Sequence, residues 1–363
     1  MVVSIDKDPS CMQYNREEDS VIHGYRNDFR NLQNNTFQLP AGTILAGHYY
    51  VGNILDHGDF GITYIGCDLK SGMKVVIKEY HPKDVVKRTA WNDFNLIAKN
   101  NEFAALFETL KARFINEAMI LTEFSYDHHV GKITDIFEAF NTIIIVMEYI
   151  EGISLENYQK RFGKMTFDKA WIMLKPLVET LEKIHRRGLI HKDINPSNIL
   201  IGKDNRIVLI NFGFAFDYSF CEDLDYPLFY YPEYDPPEQY MDYRHGTWTD
   251  VYSLCATIYR MITGVVPVNA FERFGNDPLK YPSEMGSVIK PEQEAVLMCG
   301  LSLKMDKRIQ SMNEFRKGIE LADKGEILNR ARPFLRTSSN HSYSLNVNKW
   351  LFHIRKNTAN PYV

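Results

Sequence analysis

The sequence predicts an α+β fold, with a small β-rich region followed by a larger helical one. Three features lead there. Short β-branched and aromatic runs cluster between Thr43 and Ile150, one amphipathic helix interrupts them, and long apolar helical stripes take over after Gly152.

Residues 1–42 are polar, rich in Asn, Asp and Arg, and lack a sustained period, so they are expected to form a loosely ordered extension with room for a short helix near Glu17 to Arg30. His48-Tyr49-Tyr50-Val51 and Ile62-Thr63-Tyr64-Ile65 are strand runs around a glycine-containing turn, and Lys74 to Glu79 is a third strand. Glu102 to Glu123 sets Phe103, Phe107, Leu110, Phe114, Ala118 and Leu121 on one helical face. Ile133 to Ala139 and Thr142 to Glu148 then form an antiparallel strand pair. Phe167 to Arg187 is a long amphipathic helix closed by Gly188, and Thr249 to Thr263 an apolar one closed by Gly264. Pro291 to Leu303 and Ser311 to Leu321 are further helices, the last with Ser311 as N-cap and Glu314 completing a capping box. From Ala322 onward the chain is basic on balance, and Lys349 to Lys356 places Trp350 and Ile354 on one helical face, most simply to cap the domain's own core. The expected organisation is an extension at 1–42, a β-rich lobe at 43–148, a helical lobe at 149–322 and a tail at 323–363.

Composition narrows the function classes. Apolar content of 45% and charged content of 24% are those of a soluble globular protein. A net charge of -4 gives no electrostatic case for nucleic acid. The apolar run Thr142 to Ile150 is too short to span a bilayer, and Glu148 interrupts it. The five cysteines are scattered and form no CxxC pair, which favours a reducing cytoplasm over a disulfide framework or a zinc site.

Four stretches carry chemistry. Asp56-His57-Gly58-Asp59-Phe60-Gly61-Ile62-Thr63-Tyr64 has glycines that let backbone N–H groups approach phosphates, though an ordinary hairpin fits the same residues. Lys78 ends a β-branched run and Glu117 lies on the following helix; each taken alone fits a solvated surface charge. His191-Lys192-Asp193-Ile194-Asn195-Pro196-Ser197-Asn198 follows a helix and precedes a strand, and is the most specific stretch in the chain. Asn211-Phe212-Gly213 ends the next strand, where a plain polar turn would also serve.

Taken together and in this order, these stretches resemble bacterial Ser/Thr protein kinases over residues from about 43 to 322. Tyr234-Asp235-Pro236-Pro237-Glu238, Asp250 and Arg308 extend the likeness as structural pieces, and Phe60 to Tyr64 with Ile77 to Pro82 look like one bacterial subgroup. The resemblance implies a bilobal protein kinase-like fold with ATP in a cleft, touched by Gly58, Gly61, Lys78 and a hinge at Met147, Glu148 and Ile150, with Met147 as gatekeeper. It implies that Glu117 pairs with Lys78, that Asp193 orients the substrate hydroxyl and accepts its proton, and that Asn198 and the residue at 211 hold magnesium.

Departures cluster at the chemistry. Asn211 stands where the family has a metal-binding Asp, Asn195 where it has a Lys on the γ-phosphate, Tyr231 where Ser/Thr kinases carry a Thr, Lys192 where it has Arg, and Asp56 where it has Gly. The activation segment from Phe214 to Asp235 has Ser219 but no Thr. The expectation is a pseudokinase that binds ATP, with weak or no magnesium dependence, and works through a protein partner. The alternatives are a weak or atypical Ser/Thr kinase acting on a protein substrate, and transfer of a different part of the nucleotide.

Overall fold

The computed structural model describes residues 37–58, 60–89, 93–212, 216–217, 233–240 and 244–325. The expectations for the extension before Phe37, for Asp59, for Gly213 and Phe214, for Ser219 and Tyr231, and for the tail with Trp350 and Ile354 lie outside the described residues. The chain divides into two compact units, one ending at Ile153 and the other starting at Ser154.

The first unit is built on one antiparallel sheet. Its strands are β1 (Ile44–Leu45), β2 (Tyr49–His57), β3 (Gly61–Asp68), β4 (Met73–Tyr80), β7 (Ile133–Ala139) and β8 (Thr142–Glu148), in the order β1-β2-β3-β4-β8-β7. Between β4 and the helix α1 (Glu102–Thr122) the chain forms a small hairpin, β5 (Val86–Arg88) with β6 (Leu96–Ala98), that no sequence expectation covers. Strand alternation sorts β4 into two faces. Val75, Ile77 and Glu79 are buried on one, with Leu39, Leu45, Val51, Ile62, Tyr64 and Val146 in the same core. Lys78 and Tyr80 belong to the other, where Tyr80 lies 5.7 Å from the ring of Phe107 and 5.2 Å from that of Phe114, both on α1.

The second unit is mainly helical. The short strand β9 (Gly152–Ser154) spans the junction in sequence, and α2 (Leu155–Phe162), α3 (Phe167–Arg186), α4 (Thr247–Thr263), α5 (Pro291–Gly300) and α6 (Met312–Asp323) follow. Thr166 caps α3 by accepting from Lys169 N at 3.3 Å, and Lys183, His185 and Arg186 sit in its last turn, where the helix dipole favours cations. Gly264 ends α4 at φ 79°, a conformation side chains resist. Helix α4 is buried nearly all round, which explains its unbroken apolar text. Two expectations are corrected. Helix α5 stops at Gly300 rather than Leu303. Ser311 caps α6 by accepting from Glu314 N at 3.1 Å, but Glu314 reaches back to Gln310 N at 2.8 Å instead of to Ser311, so the reciprocal box does not close.

Strands β10 (Leu189–Ile190), β11 (Ile199–Gly202), β12 (Ile207–Leu209) and β13 (Phe216–Asp217) frame the loop between α3 and β11. β11 pairs with β12, and β10 with β13. Among the described residues, no helix is long and apolar enough to cross a membrane.

Candidate functional site

The loop from His191 to Asn198 is suspended from a buried carboxylate. Asp250, on α4 and fully buried, accepts from His191 N and Lys192 N, both at 2.8 Å, and from His185 Nε2 at 2.7 Å. Burial pushes its carboxyl up, but the bond and charge of His185 outweigh that and hold it below the usual range. Lys192 takes φ 66°, which a lysine resists. Its amide is fixed by Asp250, and its carbonyl accepts from Gln239 Nε2 at 3.0 Å. A second buried pair braces the same unit. Arg308 donates to both oxygens of Glu238, at 2.5 and 3.0 Å, with both side chains fully buried.

The Asp193 end of the loop is knit by amides. Asp193 Oδ1 accepts from Asn195 Nδ2 at 2.6 Å, and Asp193 Oδ2 from Asn198 Nδ2 at 2.6 Å. Asn198 Oδ1 accepts in turn from Asn211 Nδ2 at 2.9 Å. Asn195 Oδ1 turns inward to take Ser197 N at 2.9 Å and Asn198 N at 3.3 Å, closing the turn around Pro196. Asn211 sits at φ 64°, where Asn is tolerated better than most residues. The His191 ring meets Phe212 edge-on at 4.4 Å and bonds the Ile210 carbonyl at 3.0 Å, which sets where Asn211 emerges. Asp193, Asn195, Asn198 and Asn211 are therefore brought together.

Asn198 Oδ1 accepts a hydrogen bond from the Asn211 amide, so positions 198 and 211 offer a cation amide oxygens without a carboxylate's charge.

The first unit holds the remaining expected residues. Gly58 N donates to Gly61 O at 3.0 Å, so the glycine turn is closed on itself. A Cβ at Gly61 would stand 2.7 Å from the Glu79 carbonyl oxygen, which excludes other residues, whereas one at Gly58 would meet nothing nearer than 3.9 Å. Asp56 is exposed. Lys78 pairs in the sheet with Thr63 and Ile145, on the face that meets α1, the helix carrying Glu117. Met147 and Glu148 end β8, and Ile150 is buried just after it.

Sequence reasoning missed a polar cluster behind Lys78. Glu79 Oε1 accepts from Arg88 Nη2 at 2.6 Å and Oε2 from Tyr64 Oη at 2.7 Å. Arg88 also donates to the carbonyls of Phe37 at 2.8 Å and Phe94 at 2.6 Å, and Leu39 N donates to Tyr64 Oη at 3.0 Å. Burial pushes the Glu79 carboxyl up, against the pull of Arg88. The signal was available: an acid next to Lys78 in a strand buried on its face needs a cation.

A helical unit that hangs an aspartate-bearing loop from a helix carboxylate, together with a separate antiparallel sheet bearing one helix, is the protein kinase fold. The protein kinase domain family matches residues 49–309, and the chain belongs to that family. The chain is 26% identical over 296 residues to the serine/threonine-protein kinase PknB of Mycolicibacterium smegmatis, covering 78% of this chain and 44% of that one. It is 28% identical over 294 residues to the serine/threonine-protein kinase PknB of Mycobacterium tuberculosis, again at 78% and 44%. The chain thus spans less than half the length of these curated relatives. Among solved structures, the apo form of PpkA-294 matches with a TM-score of 0.60 and 27% identity, over 78% of this chain and 99% of that one.

Proposed function

We propose that this kinase domain binds ATP, transfers its phosphate slowly or not at all, and acts by presenting a surface to a protein partner. The observation that carries this reading is the amide chain Asn211–Asn198–Asp193–Asn195. It ties the loop together by hydrogen bonds while lacking the metal-binding carboxylate expected at 211 and the phosphate-binding ammonium expected at 195. A charge-assisted contact is worth about 1.5–3 kcal/mol. If it acts in the transition state, that is roughly ten- to a hundred-fold in rate. Two such losses amount to about a hundred- to ten-thousand-fold, less if they are coupled. Kinase turnover begins at only about 1–100 per second. ATP would be held through Gly58, Gly61, Lys78 and the segment Met147, Glu148 and Ile150, with Glu117 steadying Lys78.

A second reading, a weak Ser/Thr kinase acting on a protein hydroxyl, draws support from the presence of Asp193 and from the bonds of Asn198 Nδ2 to its carboxylate at 2.6 Å and its carbonyl at 3.0 Å, which hold that side chain in place. Thermal unfolding with ATP, with and without Mg²⁺ or Mn²⁺, run beside transfer of labelled phosphate to a generic substrate, separates the two. ATP at about a hundred times its Kd should add about 2.7 kcal/mol of stability. A metal-independent shift without transfer supports the first reading. Transfer that disappears in Asp193→Ala overturns it in favour of the second.

A further inference from the structure

Residues Phe37–Leu39 lie ahead of the family match, which begins at residue 49, yet they are built into the first unit as a strap across the sheet. Leu39 is fully buried in the core, its amide donates to Tyr64 Oη, and the Phe37 carbonyl accepts from Arg88 Nε. These anchors use the strap's backbone and Leu39. The Phe37 ring is half-buried and packs against that core, and it makes a further contact at the rim. It lies flat on His57, with ring centres 4.6 Å apart and planes within 20°. His57 is the last residue of β2 and is exposed, so the stack sits at the rim of the sheet, directly before Gly58. His81 closes the group from beneath, 6.3 Å from both rings and steeply tilted to each. Its own amide donates to Phe60 O at 2.8 Å, so one aromatic trio borders both ends of the glycine turn.

We propose that Phe37 is a positioning residue for the glycine turn, and that the Phe37–His57 stack fixes the turn in the form that receives nucleotide phosphates. The proposal rests on the ATP-binding reading above. A turn built on glycine has backbone freedom to lose when it closes on a ligand, and that loss weakens binding. A stacked pair that holds the entry to the turn removes part of this freedom before the ligand arrives. Aromatic stacking is worth about 0.5–1.5 kcal/mol beyond burial, which corresponds to roughly two- to twelve-fold in affinity. The anchors through Leu39, Tyr64 and Arg88 remain when the ring is removed, so the strap should stay in place.

The test titrates ATP into the full chain, as wild type, Phe37→Ala, Phe37→Tyr and His57→Ala, with hydrogen exchange followed at Gly58 and Gly61. The expected result for Phe37→Ala is roughly two- to twelve-fold weaker ATP binding and faster exchange at both glycines. Phe37→Tyr, which keeps the ring face, should bind like the wild type. His57→Ala should match Phe37→Ala, and combining the two should add nothing further. Unchanged affinity and exchange in Phe37→Ala overturn the proposal while leaving the ATP reading intact. A loss equal in Phe37→Tyr and Phe37→Ala overturns it as well. A wild type that takes no ATP overturns both.

Discussion

The two ends of the loop after β10 are held by different kinds of group. At the scaffold end, ionised residues do the holding: Asp250 grips two backbone amides and His185, and Arg308 grips Glu238. At the other end neutral amides surround Asp193. Buried charges are costly unless fully partnered, and those at the scaffold end are richly partnered. The contrast shows that architecture and chemistry in this fold draw on separable sets of residues. One set carries paired buried charges, while the other gathers amides around a single carboxylate, that of Asp193.

The strongest way to break the comparison is to put the charges back. Asn195→Lys with Asn211→Asp should raise phosphate transfer by about a hundred- to ten-thousand-fold with Mg²⁺ present. The unfolding midpoint should fall as well, because Asn195 is buried and its amide oxygen accepts from Ser197 N and Asn198 N, bonds that a lysine cannot accept. Labelled-phosphate incorporation measures this, and an inactive double variant would show that the amides are not what limits transfer.

Arg308→Ala tests the scaffold end. It strands Glu238 as an unpaired buried carboxylate and frees the carbonyls of Ser302, Leu303 and Trp248, all of which Arg308 now satisfies. Urea unfolding should register a loss of about 3–5 kcal/mol. Glu238→Gln, which keeps the shape and removes the charge, should also destabilise, because it leaves the arginine unpaired.

A smaller effect separates the units by pH. Burial drives the proton affinity of His81 down to about 3, and burial together with the Lys192 charge drives that of His245 down to about 4. Free histidine titrates near 6.5. The unfolded chain therefore binds more protons than the native one between these values. The stabilisation is complete above pH 6.5 and is lost as the pH falls toward the folded values. By pH 5 each histidine should have cost about 2 kcal/mol. His81→Leu should remove its share of that slope, read as the difference in urea midpoints between pH 7.5 and pH 5 against the wild type.

Much of this fold was legible in the text. The paired runs Ile133–Ala139 and Thr142–Glu148 emerge as β7 and β8 at those bounds, and Phe167–Arg186 is one residue from its reading as a helix. Strong periodicity made them visible. The hairpin of β5 and β6 was not visible, because three-residue strands carry too little alternation to stand out from a loop. Helix α2, at eight residues, was hidden for the same reason. At the site, the substitutions at 195 and 211 could be read directly, but their consequence could not. Nothing in the spacing shows that Asn211 donates to Asn198, because that bond depends on the left-handed backbone at 211 and on the Phe212 ring packed against His191. The strap at Phe37–Leu39 escaped because its partners, Tyr64 and Arg88, are remote in sequence and its own residues carry no pattern.

The buried carboxylate of Glu79 has a consequence for how the sheet anneals. Glu79 sits opposite Ile62 and Ile144, while Lys78 sits opposite Thr63 and Ile145. A slip of β4 by one residue would thrust the ammonium of Lys78 into the apolar core and turn Glu79 away from Arg88 and Tyr64. Two adjacent charges of opposite sign, each destined for its own side, thereby act as a key that admits one alignment of the strand and rejects its nearest competitor.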